Sequence, residues 1–128
     1  MDKSIVNTAA APKAIGPYSQ GISVVGKEAF YFSGQIAIDP STGKLIEGNA
    51  QEQTARIFQN IDALLASCGM TTENVVKTTV FLTDISDFTD VNAEYAKHFQ
   101  SAPPARSCVQ VAALPAGAKV EIEIIAFK

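Results

Sequence analysis

The chain has 128 residues, 47% of them hydrophobic, which is one domain over residues 1–128 with enough apolar material for a core and no need of staples. Its net charge is −3 and its lysines and arginines are scattered, without a basic run or an aromatic-basic ribbon, so nucleic acid binding has no electrostatic footprint. No apolar run approaches the roughly 20 residues of a membrane span, Met1-Asp2-Lys3-Ser4 lacks the apolar core of a signal peptide, and a soluble, cytosolic protein is expected.

In chain order, Gly21 to Val25 and Ala29 to Ser33 are two β-rich runs, and the Gly26-Lys27 between them predicts a hairpin. Asp39-Pro40-Ser41-Thr42-Gly43 is a turn cluster, with loop expected as far as Gly48. A helix should follow, capped by Asn49 with Glu52 completing a capping box, its apolar stripe running through Ile57, Ile61, Leu64, Leu65 and Cys68 to a stop at Gly69. Val75 to Thr83 is a β-branched strand, and a second helix is predicted from Phe88 to Gln100, closed by Pro103 and Pro104. Two strands end the chain. Val109 and Val111 alternate in the first, and Val120, Ile122, Ile124 and Ala126 in the second. The order β-β-α-β-α-β-β is that of an α+β sandwich with two helices on one face of a mixed sheet.

Two helices cover one face only, yet apolar residues occupy both. Val120, Ile122 and Ile124 oppose Ile125 and Phe127, while Val76, Val80 and Leu82 oppose Val75 and Phe81. A partner subunit is the simplest second cover.

The two terminal strands also carry charge among these apolar residues. Arg106 follows the rigid lead-in Pro103-Pro104-Ala105, which fixes where the strand begins, and a guanidinium is shaped to grip a carboxylate through two parallel hydrogen bonds. The alternative is a solvated edge residue paired with a surface acid. Glu121 and Glu123 share one face of the last strand, where each could serve solubility alone; a half-screened carboxylate also suits a general base. If the terminal strands were antiparallel neighbours, Arg106 and Glu121 would lie at opposite ends, roughly 17–20 Å apart at ~3.4 Å per residue. They could not share a small ligand within one chain, so Arg106 of one protomer is expected to meet Glu121 of another.

Cys108 shares a strand face with Arg106 and so lines the same cleft; with no histidine nearby in sequence, packing or backbone contact is the better reading than a nucleophile. Phe88, Asn92, Tyr95 and Phe99 fall on one face of the second helix, so the Asn92 amide lies among aromatics and needs a partner, for which a structural tie to a backbone loop is the better reading. Tyr18 is confined by Gly16-Pro17 and is either a core aromatic or a cleft wall able to donate its hydroxyl. Gly34, in Ser33-Gly34-Gln35, allows close backbone approach. Cys68, in the helix stripe, reads as core, and His98, at the edge of the aromatic face, as a helix-surface residue without chemistry. Neither a disulfide framework, a metal site nor a cofactor motif is suggested.

Pro103-Pro104-Ala105-Arg106-Ser107-Cys108-Val109-Gln110-Val111 with Leu114 and Val120-Glu121-Ile122 resembles the signature of the Rid family, also called YjgF, the reactive-intermediate deaminases. Gly16-Pro17-Tyr18-Ser19-Gln20-Gly21, Ser33-Gly34-Gln35-Ile36, Val76 to Leu82, and Asp87-Phe88 with Val91-Asn92 extend the resemblance over nearly the whole chain. It implies a chorismate-mutase-like fold, a homotrimer with clefts between subunits, and no cofactor. It further implies hydrolysis of 2-imino or enamine acids to 2-keto acids and ammonium, which protects enzymes that use pyridoxal phosphate. Arg106 would bind the substrate carboxylate with the backbone near Cys108, Glu121 would activate water, and Tyr18, Gly34 and Asn92 would line the cleft. The rival reading is a trimeric protein that senses keto acids through the same cleft; a translation-inhibiting ribonuclease is the third.

Overall fold

Alternating burial along the two longest strands sets the layers. The computed structural model describes residues 1–128. Strands β1 (Asp2–Val6), β2 (Gly21–Val25), β3 (Ala29–Tyr31), β4 (Ile38–Asp39) and β5 (Lys44–Leu45) precede helix α1 (Ala50–Ser67). Then come β6 (Val75–Leu82), α2 (Phe88–Ala96), β7 (Ala105–Gln110) and β8 (Val120–Phe127). The main sheet has the order β3-β8-β6-β7, with β6 and β7 parallel and the other pairs antiparallel. Thr78, Val80 and Leu82 of β6 and Val120, Ile122, Ile124 and Ala126 of β8 are buried beneath α1 and α2; Glu121, Ile125 and Phe127 turn to the other face. The fold is thus α+β, two helices on one face of a mixed sheet.

Helix α1 forms as its sequence predicts. Asn49 Oδ1 accepts the Glu52 N–H at 2.8 Å and Glu52 Oε1 accepts the Asn49 N–H at 3.1 Å, a reciprocal cap worth about 1 kcal/mol. Gly69, at φ +72°, lets Met70 donate back to the Leu65 carbonyl at 2.9 Å and ends the helix. Helix α2 stops at Ala96, short of the predicted Gln100, although Phe99 still packs in the core against Phe58 and Tyr95.

The predicted hairpin does not form. β2 pairs with β1, and β3 pairs with β8. The C-terminus captures the linker: Lys27 and Glu28 both donate their N–H to the Lys128 carbonyl, at 3.0 and 3.2 Å, and Lys128 donates to Glu28 at 2.9 Å. β1 carries only Ile5 and Val6 as apolar strand formers, both exposed, so no alternation announced it. A bulge between Val75 and Lys77 also exchanges the predicted faces of two residues, bringing Val75 into the core cluster where strict alternation would have placed Val76. No helix is long and apolar enough to cross a membrane.

Candidate active site

β7 is the sheet edge beside α2, and its register places Arg106 opposite Thr78 and Cys108 opposite Val80. Both therefore project toward the helix layer, while Val109 is exposed on the other face. Arg106 Nη1 donates to Asn92 Oδ1 at 2.5 Å, so the amide oxygen's partner is the guanidinium and not the backbone loop expected from the sequence, because α2 packs on the edge strand that carries Arg106. The Arg106 Cζ lies 4.8 Å from the centre of the Tyr95 ring, 5.5 Å from Phe88 and 5.6 Å from Tyr18. Three ring faces and one amide hold the cation, each ring contact worth about 0.5–1 kcal/mol or more as water is excluded. Tyr95 is fully buried and shares a hydrogen bond of 2.7 Å with Thr78 Oγ1; burial pushes its phenol up to about 12.

In front of Arg106 opens a cleft of about 550 Å³ lined by Tyr18, Ile85, Ser86, Phe88, Thr89, Arg106 and Cys108. Its rim is prebuilt. Gln110 Oε1 accepts the Ile85 N–H at 2.8 Å, and Asp84 Oδ1 accepts from Ser86 N–H at 2.9 Å and Ser86 Oγ at 2.7 Å, bonds that hold the Asp84 carboxyl below its usual range. Burial raises the Cys108 thiol, with Arg106 opposing it, which disfavours the thiolate a nucleophile would need. The cleft joins a fixed cation to an apolar wall, the chemistry of a site for a small carboxylate with an apolar portion.

Glu121 and Gly34 form a separate cluster. Gln35 pairs with Ile122 across an antiparallel bridge, which lays Gly34 beside Glu121 on the sheet face away from the helices. A Cβ on Gly34 would stand 2.7 Å from Glu121 Oε2 and 2.8 Å from Cδ, so only glycine leaves the carboxylate where it is. The six predicted residues thus divide into Arg106, Cys108 and Tyr18 lining the cleft with Asn92 bonded to Arg106 beside it, and Glu121 with Gly34 on the opposite face. The separation of Arg106 from Glu121 agrees with the sequence, but its cause differs: β6 lies between their strands, and the two side chains leave opposite faces.

The sequence did not single out Ile85, Ser86, Thr89 or Gln110. Asp84-x-Ser86 is a capping pattern that could have marked the rim. His98 is not the helix-surface residue expected: it lies beyond the end of α2 and stacks flat on Phe58, with ring centres 4.0 Å apart and an interplanar angle of 6°.

A family model described as Endoribonuclease L-PSP matches residues 8–128. Protein DfrA of Myxococcus xanthus is 46% identical over 126 residues, 98% of this chain and 96% of that one. The 2-iminobutanoate/2-iminopropanoate deaminase of Bos taurus is 48% identical over 124 residues, 97% of this chain and 89% of that one. Among solved structures, YyfA of the Rid family from Yersinia pestis is 49% identical with a TM-score of 0.76, covering 99% of this chain and 100% of that chain. TdcF of E. coli, solved with bound serine, is 39% identical with a TM-score of 0.73, covering 98% of each chain.

Proposed function

Since the chain belongs to the Rid family, the one matched by the Endoribonuclease L-PSP model, we propose that it hydrolyses 2-imino acids to 2-keto acids and ammonium in the cytosol. The observation that carries the reading is Arg106, fixed by Asn92 and three rings at the mouth of an apolar-walled cleft. The substrate carboxylate docks on Arg106 and on the backbone near Cys108, with its side chain toward Phe88 and Ile85. Serine, bound in TdcF, is a carboxylate of comparable size.

Glu121 supplies the water. The Arg106 cleft of one protomer faces the Glu121–Gly34 surface of the next, and a trimer closes the ring of such contacts. Tyr31, 76% exposed on β3, and the partly exposed Ile125 and Phe127 give that sheet face the apolar character an interface needs. Glu121 takes a proton from water as the oxygen adds to the iminium carbon, then returns that proton to the amino nitrogen of the carbinolamine; the C–N bond breaks, the hydroxyl loses its proton to the departing ammonia, and keto acid and ammonium result. An iminium is already electrophilic, so positioning and one proton shuttle suffice for the chemistry. By removing imines that would attack pyridoxal phosphate enzymes, the protein limits metabolite damage.

The family description names an endoribonuclease, but with net charge −3 and its one histidine stacked on Phe58 this chain offers neither a basic track for phosphates nor a histidine pair for acid–base cleavage. The test couples a pyridoxal phosphate-dependent threonine dehydratase to the protein with semicarbazide as imine trap. Faster imine loss that disappears in Arg106→Ala and in Glu121→Ala supports the deaminase. Keto-acid binding through Arg106 without acceleration would move the assignment to a sensor.

A further inference from the structure

From Asn7 to Gln20 the chain contains no helix and no strand, yet it supplies one wall of the Arg106 cleft. It is fastened at two points. Ser19, 6% exposed, donates its hydroxyl to the Pro103 carbonyl at 2.5 Å and its N–H to the Pro104 carbonyl at 3.2 Å, which ties it to the lead-in of β7. The neighbouring Gln20 reaches back along the segment. Its Oε1 accepts the Thr8 N–H at 2.7 Å, while Nε2 donates to the carbonyls of Pro12 at 2.7 Å, Thr8 at 3.1 Å and Ala11 at 3.3 Å. The two hydrogens of one amide are shared among three carbonyls, and its acceptor is also used.

Between these fastenings the chain passes over Arg106. A Cβ on Gly16 would lie 3.8 Å from Arg106 Nη2, the Tyr18 ring sits 5.6 Å from Cζ, and the Tyr18 hydroxyl accepts the Ile15 N–H at 3.4 Å. Asn92 takes one N–H of Nη1, which leaves four of the five guanidinium donors for a ligand carboxylate, and Gly16 stands beside those of Nη2.

We propose that Gln20 is a positioning residue for ligand binding: by clasping Thr8 to Pro12 it holds the Gly16–Tyr18 wall against Arg106 and so sets the affinity of the cleft for a carboxylate, without touching the reacting atoms. Without the clasp the stretch from Asn7 to Tyr18 is a long irregular loop held only at its two ends, by the Val6–Gly21 pair of β1 with β2 and by Ser19, and the cost of ordering its middle falls on each binding event. The inference rests on the reading of Arg106 as the carboxylate anchor.

Gln20→Met keeps the length of the side chain and removes every amide hydrogen bond. Titration calorimetry with 2-oxobutanoate is run on wild type, Gln20→Met and Arg106→Ala, alongside steady-state imine hydrolysis. Gln20→Met is expected to weaken 2-oxobutanoate binding and raise KM by about tenfold each, with kcat within about twofold of wild type. A merely structural role would instead lower kcat and Tm together, and that result, or wild-type affinity in folded Gln20→Met, would overturn the proposal. Should Gln20→Met not fold, Gln20→Glu, which keeps the acceptor for Thr8 but sets a carboxylate oxygen against the three carbonyls, must show the same split; wild-type affinity there would overturn it equally. If wild type itself binds 2-oxobutanoate no better than Arg106→Ala, the anchor reading fails and this inference with it, an outcome seen without any Gln20 variant.

Discussion

Arg106 and Glu121 leave opposite faces of one sheet: Arg106 pairs with Thr78 on the buried side of β6, and Glu121 pairs with Phe81 on the open side. Three steps along β6 at ~3.3 Å and two strand spacings of ~4.8 Å set their Cα atoms about 14 Å apart. Side chains diverging from that distance cannot hold one small substrate between them. The proposed chemistry therefore requires two copies of the chain.

Asn92→Asp keeps the size of the side chain and puts a carboxylate on the Arg106 guanidinium, in competition with the ligand. The variant should fold normally, with KM and the dissociation constant of a 2-oxo acid raised by at least about tenfold. Unchanged affinity by calorimetry would show that Arg106 is not the anchor.

Gly34→Ala places a methyl 2.7 Å from Glu121 Oε2. The obstructed atom is the end of a flexible side chain, so the fold should yield cheaply, with Tm shifted by only a few degrees, about 1 kcal/mol. Displacing the carboxylate should lower kcat by about a hundredfold. Loss of Tm without loss of kcat would count against Glu121 as the base.

The buried phenol of Tyr95 makes stability depend on alkali. Its pKa is raised from the ordinary 10 to about 12, so between these values the unfolded state has lost the proton that the folded state keeps, and stability falls as pH rises. Urea unfolding from pH 9 to pH 12 should show about 2–3 kcal/mol of loss from this group. In Tyr95→Phe the slope should be shallower by that amount, on a baseline lowered by the missing bond to Thr78.

Cys108 should behave as a wall, not a nucleophile. With its thiol raised by burial, alkylation by iodoacetamide at neutral pH should run slower than for a free thiol. Cys108→Ala should keep kcat within about fivefold, and a loss comparable to that of Glu121→Ala would assign the thiol to the chemistry.

Local signals in the sequence carried the parts of the fold that local physics decides. Asn49 and Glu52 announced the cap of α1, Gly69 its end, and the alternation in β8 its buried face. Strand partners are a matter of long-range pairing, and there the reading failed: nothing in Gly26-Lys27 shows that the C-terminal Lys128 takes the linker's hydrogen bonds. The site was legible as residue types and not as an arrangement. β7 reverses the usual pattern, with Arg106 and Cys108 toward the helix layer and Val109 exposed, because pairing with Thr78 and Val80 sets the register and hydrophobicity does not. The Asn92 amide was seen to need a partner, but only the packing of α2 on the sheet edge supplied Arg106.

If one cleft draws Arg106 and Glu121 from different copies of the chain, two variants that are inactive alone must restore activity to each other. Arg106→Ala and Glu121→Ala, each inactive alone, would be unfolded, mixed in equal amounts and refolded together, with mixed assemblies verified by native mass spectrometry. Random trimers of the two should recover about a quarter of wild-type activity, since a cleft is intact when its Arg106 side comes from the Glu121→Ala chain and its Glu121 side from the Arg106→Ala chain. Verified mixed trimers without activity would contradict the shared cleft.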